Sequence, residues 1–124
     1  MLYDISRCII QRNRWGEKVA NNGGPMTEAM YYVLLALMNP NHGYQLMNAI
    51  TEVSNGRIKM GPGTLYGVLS RMQKDGLISL AEDDGRRKTY QITSEGKHAL
   101  RTEFSRLKAM IQDGNMLEEG EENE

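Results

Sequence analysis

The stretch GPGTLYGVLSRMQKDGLI, residues 61–78, constrains the fold more than any other part of the chain. Gly61 suits the N-cap of a helix and Pro62 suits its first position, where the missing N–H has no intrahelical partner to lose. Gly76 suits the position just after the C-terminus of a helix. We therefore predict a helix over residues 62–75.

At about 100° per residue this helix has two different faces. One face is apolar and is expected to pack: Leu65, Val68, Leu69 and Met72. The other face is mainly polar and is free to contact a ligand: Thr64, Tyr66, Gly67, Ser70, Arg71 and Lys74. Glycine in mid-helix costs roughly 1 kcal/mol relative to alanine. Gly67 is therefore either a tolerated surface residue or a place where another backbone approaches closely.

Two shorter helices are predicted upstream, over residues 27–38 and 43–54. Thr27 is a plausible N-cap for the first. Apolar residues recur at helical spacing in both: Met30, Val33, Leu34 and Leu37, then Leu46, Ala49, Ile50 and Val53. Two short helices before a third are typical of a helix-turn-helix. Tyr44 and Gln45 begin the second helix, where they could reach a phosphate.

The glycine-rich loop GRIKMGPGT, residues 56–64, does not fit a nucleotide-binding P-loop. Such a loop needs Lys and then Ser or Thr directly after its second glycine, whereas Pro62 follows Gly61 here. Arg57 and Lys59 precede the third helix and could instead hold a DNA backbone. The N-terminus of a helix also favours phosphate.

Residues 77–82 and 88–93 alternate between apolar and polar side chains, which predicts the two strands of a hairpin. Asp83, Asp84 and Gly85 form its turn. The next three residues are basic: Arg86, Arg87 and Lys88. Such a turn is commonly only a solubilising one. Directly after a helix with a free polar face, however, contact with phosphates is the favoured interpretation, and the hairpin is then a wing.

A last helix is predicted over residues 93–112, with Thr93 as its cap. Leu100, Phe104, Leu107 and Ile111 form one seam at spacings of four, three and four. A chain of 124 residues has few surfaces left to cover this seam, so a second copy of the helix is the economical partner. We predict a homodimer. The acidic residues 113–124 are predicted to be a disordered tail.

Charge and composition narrow the function classes. The net charge of −1 hides a basic body, because residues 25–113 carry 11 basic and nine acidic side chains and the last 11 residues carry five Glu. Cys8 is the only cysteine and there are two His. No catalytic or metal-binding set can be assembled from them, so we expect neither an enzyme nor a cofactor. No apolar run reaches the roughly 18 residues of a membrane span, and a cytoplasmic location is expected.

Residues 1–25 leave three interpretations open. They mix apolar and basic residues and end in Asn-Asn-Gly-Gly-Pro, which is typical of a break. They could form an accessory helix that packs on a dimer, a basic arm, or a leader before Met26. We predict the accessory helix, over residues 3–15.

Three blocks together resemble the PadR family of bacterial winged helix-turn-helix transcription regulators: HGYQL at 42–46, GPGTLYGVLSRMQKDGLI at 61–78 and GRRKTYQITSEG at 85–96. The resemblance covers residues 26–111. It implies a mainly α fold with a small β hairpin, in which a winged helix-turn-helix domain at 26–93 precedes a dimerisation helix at 94–112.

The resemblance also implies a homodimeric repressor that binds an inverted repeat in double-stranded DNA, with residues 62–75 as its recognition helix. Release by a small-molecule effector is common in the family. Some relatives stack planar drugs on an aromatic residue of the last helix, but Leu107 occupies the matching position here. The alternative is a sensing or protein-interaction module without sequence-specific DNA binding. The predicted DNA-binding residues are Tyr44, Gln45, Lys59, Pro62, Gly63, Thr64, Tyr66, Gly67, Ser70, Arg71, Arg86, Arg87 and Lys88.

Overall fold

The computed structural model describes residues 10–12, 18–20 and 25–122, and for 10–12, 18–20 and 120–122 it describes the backbone alone. Helices dominate these residues, as the sequence predicts, and the strands are short. In chain order the elements are β1 (Ile10–Arg12), β2 (Lys18–Ala20), α1 (Glu28–Ala36), β3 (Asn41–His42), α2 (Gly43–Val53), α3 (Pro62–Lys74), β4 (Ile78–Asp83), β5 (Lys88–Ile92), α4 (Ser94–Asp113) and α5 (Met116–Glu122).

The helix boundaries follow from the capping residues identified in the sequence. The Thr27 hydroxyl accepts a hydrogen bond from the Met30 N–H at 3.1 Å and caps α1. Gly61 caps α3 and proline occupies its first turn. After α3 the chain reverses at Gly76, whose φ of +80° favours glycine. The predicted ends of these helices are therefore confirmed to within one or two residues.

The core lies between α1, α2, α3, the base of the hairpin and the first turns of α4. Its members are buried and almost all aliphatic: Met26, Val33, Leu34, Leu37, Leu46, Ile50, Met60, Leu65, Leu69, Met72, Leu77, Ile78, Tyr90, Ile92 and Leu100. The apolar positions predicted for the helices supply most of this set. Val53 is an exception, because it is 43% exposed at the end of α2.

The sheet has three strands rather than the predicted two. Its order is β3-β5-β4, and all pairs are antiparallel. In β3, Asn41 pairs with Tyr90 and His42 with Thr89. Sequence alternation could not identify a strand of two residues, because alternation needs about four residues to be visible. The short strand places the N-terminus of α2 beside the hairpin.

The start of α4 is tied to the base of the hairpin through Thr93. Its N–H donates to the Leu77 carbonyl at 3.0 Å, and its hydroxyl donates to the Gly76 carbonyl at 2.7 Å. The same hydroxyl accepts from the Gly96 N–H at 3.0 Å. A Cβ on Gly96 would lie 2.1 Å from the Leu77 carbonyl oxygen. Only glycine therefore allows α4 to pack this closely on the hairpin.

Two predictions at the ends of the chain are wrong. The accessory helix over residues 3–15 fails where the structure describes it, because Ile10–Arg12 is a strand that pairs antiparallel with Lys18–Ala20. Ile10 and Val19 are β-branched and favour strands over helices. The rest of that predicted helix lies outside the described residues.

The tail is not irregular as predicted, because Met116–Glu122 is helical. Glu118 and Glu119 occupy its first turn. There a negative charge is stabilised by the helix dipole, and leucine, methionine and glutamate are good helix formers.

Candidate nucleic-acid interface

Helix α3 divides into the two faces predicted from its sequence. Leu65, Leu69 and Met72 are at most 1% exposed and pack in the core, and Val68 is half-buried against them. The remaining face is open to solvent and carries Pro62, Gly63, Thr64, Tyr66, Gly67, Ser70, Arg71 and Lys74. A Cβ at Gly63 or Gly67 would meet nothing within 4 Å. Among the described residues, nothing else covers this surface.

Tyr66 connects this face to the start of α2. Gly43 there has a φ of +27°, and a Cβ on it would lie 3.2 Å from the Tyr66 hydroxyl. Burial raises the pKa of Tyr90, and the neighbouring Tyr66 and Asp83 raise it further. Tyr66 thus lies near both α2 and the sheet and is 47% exposed. Tyr66 therefore lies on the open face and borders the start of α2.

Tyr44 and Gln45 lie in the first turn of α2, next to Gly43. Tyr44 is 75% exposed and Gln45 is also exposed. Because the Tyr66 hydroxyl approaches Gly43, these two side chains start from a turn that adjoins the open face of α3. The sequence could not show this proximity, since it depends on how two helices pack.

The two bases before α3 differ in their surroundings. Lys59 is exposed, as a phosphate-binding side chain must be. The Arg57 guanidinium instead donates to Glu28 at 2.6 Å and to the Tyr32 hydroxyl at 3.2 Å, and lies 5.6 Å from the Tyr32 ring centroid. The expectation that Arg57 holds a DNA backbone is therefore not supported, because its guanidinium is engaged with α1.

The tip of the hairpin is shaped by its two aspartates. Asp83 accepts a hydrogen bond from the Gly85 N–H at 3.0 Å, and Asp84 accepts from the N–H groups of Arg86 at 3.1 Å and Arg87 at 2.8 Å. The backbone bonds from Arg87 and Arg86 lower the pKa of Asp84. Gly85 completes the turn with a φ of +91°. The carboxylates therefore order the turn that presents the basic side chains.

Arg86, Arg87 and Lys88 are all exposed. They follow α3 through β4, which starts only four residues after α3 ends. The predicted bases at the wing tip are thus accessible in the folded chain. Their contact with a phosphate is still a prediction.

The predicted seam on α4 divides into a buried and an exposed part. Leu100 is only 6% exposed and belongs to the core of its own chain, so it is not available to a second copy. Leu107 is half-buried, whereas Phe104 is 53% and Ile111 is 70% exposed. Sequence spacing places all four on one face but cannot tell how far along α4 the body of the chain extends.

Further exposed apolar side chains on α4 and α5 were missed: Met110, Met116 and Leu117 are 54, 62 and 70% exposed. Gly114 ends α4 and interrupts the helical spacing, so the continuation of the apolar surface into α5 was not visible as one pattern.

Neither a metal site nor a membrane span is found in the part of the chain that the structure describes. No group of three or more His, Cys, Asp or Glu is arranged to hold a metal ion there. No helix there is both long enough and apolar enough to cross a membrane.

The matching family model and the similar solved structures point to one family of transcriptional regulators. The family model described as "Transcriptional regulator PadR-like family" matches residues 33–102, more than half of the chain. An uncharacterized 37.1 kDa protein in transposon TN4556 of Streptomyces fradiae is 39% identical over 77 residues, which are 61% of this chain and 22% of that protein. The transcriptional regulator YqjI of Escherichia coli is 34% identical over 56 residues, which are 45% of this chain and 27% of that protein.

The chain thus spans only about a quarter of the length of these curated relatives. Among solved structures, a PadR family transcriptional regulator from Eggerthella lenta superposes with a TM-score of 0.60 at 27% identity, over 72% of this chain and 76% of that one. The region that the family model matches includes the open face of α3 and the wing.

Proposed function

The chain belongs to the PadR-like family of transcriptional regulators, and on that premise we propose that it is a homodimeric repressor that binds an inverted repeat in double-stranded DNA. The observation that carries the proposal is the open polar face of α3. This face is exposed in the described residues, although Leu65, Leu69 and Met72 on the opposite face of the same helix are buried. A helix of this kind fits the major groove of DNA, which is wide enough to admit it.

Residues along the open face of α3 would then meet base edges. Thr64 in the first turn and Ser70 and Arg71 towards the C-terminal end offer hydroxyl groups and a guanidinium fork, the groups that distinguish bases in the major groove. Gly63 and Gly67 carry no side chain, so the sugar–phosphate backbone can approach α3 closely. Pro62 and Gly63 open the helix, where free N–H groups and the helix dipole favour phosphate.

Phosphate contacts would come from both sides of the helix. Lys59 precedes it, Tyr44 and Gln45 lie at the adjoining start of α2, and Arg86, Arg87 and Lys88 lie at the wing tip. Such contacts position the protein on DNA and add affinity for every sequence, but they do not read bases.

The homodimer would form through α4. Phe104 and Ile111 are the exposed apolar residues of the predicted seam, and Met110, Met116 and Leu117 extend the exposed apolar surface. A two-fold axis at this surface would present two copies of α3, and two half-sites about 34 Å apart would accommodate them. An inverted repeat in the operator follows from the same symmetry.

The test begins with selection of bound sequences from a random duplex library. Recovery of an inverted repeat is expected, and fluorescence anisotropy on that repeat then compares Arg71→Ala and Thr64→Ala with the parent. We expect each variant to lose about tenfold in affinity and to tolerate more bases at one position of each half-site. Arg101→Ala is the matched control, because Arg101 is an exposed arginine on α4.

Arg101→Ala is expected to bind as the parent does. If no sequence is enriched, or if Arg71→Ala and Arg101→Ala lose the same affinity, the recognition-helix assignment fails. A folded chain that binds all duplexes equally would instead favour the alternative module without sequence-specific binding. Repression itself is tested with a reporter gene under the selected repeat, whose expression should fall when the protein is present.

A further inference from the structure

The last turn of α3 is hydrogen-bonded directly to the residues that follow it. The Gly76 N–H donates to the Gln73 carbonyl at 3.0 Å, and the Leu77 N–H donates to the Met72 carbonyl at 2.9 Å. Gly76 makes this reversal with a φ of +80°. All of these bonds join backbone groups. The backbone of residues 76–77 therefore keeps a fixed position relative to α3.

The same two residues hold the start of α4. The Thr93 hydroxyl donates to the Gly76 carbonyl at 2.7 Å and accepts from the Gly96 N–H at 3.0 Å. The Thr93 N–H donates to the Leu77 carbonyl at 3.0 Å. The same carbonyl oxygen would lie 2.1 Å from a Cβ on Gly96, so α4 approaches it very closely. We call Gly76, Leu77, Thr93 and Gly96 the α3–α4 joint.

Thr93 links the two sides of the joint through its side chain. A hydroxyl can donate one hydrogen bond and accept others at the same time. Thr93 uses the donor on Gly76, which follows α3, and an acceptor position on Gly96, in the first turn of α4. A carboxylate could replace the acceptor but not the donor, and an aliphatic side chain could replace neither. Changing this hydroxyl therefore loosens α4 from the end of α3 and leaves the DNA-facing residues in place.

Helix α4 also lies beside α1, but this contact is less tightly packed. A cleft of about 290 Å³ lies between the two helices, lined by Tyr31 and Tyr32 of α1 and by Arg106 and Leu107 of α4. Closely packed interiors contain few voids larger than a water molecule, so a gap of this size leaves the middle of α4 room to move. The backbone contacts of the α3–α4 joint therefore fix the direction in which α4 leaves the body of the chain.

The effect of the joint grows with distance along α4. Phe104 and Ile111, which carry the proposed dimer contact, lie eight and 15 residues beyond Gly96, or about 12 and 22 Å at about 1.5 Å per residue. A rotation of about 10° at the joint would move Ile111 by about 4 Å relative to α3. A two-fold axis doubles this to about 8 Å, which is roughly two base-pair steps of about 3.4 Å. A small change at the joint thus alters the distance between two copies of α3.

We infer that the α3–α4 joint determines which spacing between half-sites the protein accepts, with Thr93 as its positioning residue. This inference rests on the proposed function, because spacing has a meaning only for a dimer on an inverted repeat. Thr93 itself touches no base. It selects the operator by holding each recognition helix at a fixed angle to the helix that joins the subunits.

The test uses the selected inverted repeat with its half-sites moved apart or together in steps of one base pair. A duplex with a single half-site is made beside this series. Fluorescence anisotropy measures the affinity of the full chain for each duplex, and sedimentation checks that the protein is a dimer. The parent should prefer one spacing over its neighbours by about tenfold, because each added base pair also rotates one half-site by about 35° around the DNA axis.

Thr93→Val removes both hydrogen bonds of the hydroxyl and should reduce the spacing preference to about threefold, with unchanged affinity for the single half-site. Thr93→Asp keeps a good cap for α4 but cannot donate to Gly76, so it should flatten the profile even if Thr93→Val folds poorly. Thr93→Ser retains the hydroxyl and should keep the profile of the parent. Thr27→Val is the matched control, because it removes the capping hydroxyl of α1 instead, and its spacing preference should be unchanged.

A folded, dimeric Thr93→Asp protein that selects spacing as sharply as the parent would overturn the inference. An equal loss of selectivity in Thr27→Val would also overturn it, since the effect would then come from stability alone. Failure of the proposed function is distinguishable, because it would appear in the parent. A parent that binds every spacing equally, or the single half-site as tightly as the repeat, would overturn the proposed homodimer on an inverted repeat and this inference with it.

Discussion

Replacing Gly67 by alanine should separate the stability of α3 from its function. Gly67 is exposed in the middle of the helix, has no positive φ, and would place a Cβ with nothing within 4 Å. Alanine therefore introduces neither strain nor a clash. It should gain the helix propensity that glycine lacks, roughly 1 kcal/mol.

The size of the thermal effect follows from the length of the chain. An unfolding entropy of roughly 2.1 cal/mol/K per residue gives about 0.26 kcal/mol/K for 124 residues. A gain of about 1 kcal/mol then raises the Tm by about 4 °C. Differential scanning calorimetry at one fixed protein concentration measures it, because the stability of a dimer depends on concentration.

Operator affinity should change in the opposite direction. If DNA lies against α3, the added methyl group keeps the duplex away from the helix and weakens several contacts together. A loss of about tenfold corresponds to about 1.4 kcal/mol and is measurable by fluorescence anisotropy. A protein that is stabilised by about 4 °C and binds with unchanged affinity would show that Gly67 is only a surface residue. A protein that is destabilised would refute the account of α3 itself.

Three shorter tests concern the wing and the first turn of α4. Arg86→Ala with Arg87→Ala should lower affinity for all duplexes and reduce the slope of log affinity against log salt by about one unit for each phosphate that the wing no longer neutralises; an unchanged slope would remove the wing from the interface. Gly96→Ala should lower the unfolding free energy by about 2 kcal/mol or more, because the new Cβ would lie 2.1 Å from the Leu77 carbonyl oxygen; urea unfolding measures it. Asp84→Asn should flatten the acid dependence of stability, measured as the urea midpoint against pH. The folded-state pKa of Asp84 is lowered, so its contribution is present above the unfolded value of 3.8 and disappears as pH falls through the folded value.

The helices were predictable because each carries its own start and stop signals. Thr27, Thr93 and the Gly61-Pro62 pair mark where helices begin, and capping and periodicity depend only on neighbouring residues. The face of α3 was predictable for the same reason, since burial of Leu65 and Leu69 follows from their spacing. What these signals could not give was the identity of the element that each helix packs against.

The features that were missed depend on contacts between residues far apart in the chain. Arg57 looked like a free base from its neighbours, but Glu28 lies 29 positions earlier and engages it. Glu103 is charged, but it is only 5% exposed in the folded chain. Leu100 belonged to a regular seam, yet the body of the chain buries it. Local sequence carries no signal for any of these contacts.

The division of the α4 seam changes how the dimer should be tested. Leu100 must be left in place, because it is buried in the core, and Leu107 must be left because it is half-buried. Phe104 and Ile111 have little contact with the body, at 53 and 70% exposure. Replacing both by lysine should therefore separate two subunits and leave each one folded.

The expected effect follows from the area that these side chains would bury. Full burial of such a side chain stabilises by roughly 1.5 to 3 kcal/mol, and about half to two thirds of each is exposed, so each contributes about 1 kcal/mol. Two-fold symmetry places four such side chains in the interface. A total of about 4 kcal/mol weakens the dimer by roughly a thousandfold, which analytical ultracentrifugation detects as monomer at micromolar concentration.

The control is Met38→Lys with Val53→Lys. These residues are also apolar and are 49 and 43% exposed, but Met38 follows α1 and Val53 ends α2. This protein should remain a dimer. If the Phe104→Lys, Ile111→Lys protein also sediments as a dimer, α4 is not the interface and the two recognition helices are arranged by another surface. If it is a folded monomer, its affinity for the full inverted repeat should fall to that for a single half-site. Joint binding of two tethered helices is the gain that dimerisation provides.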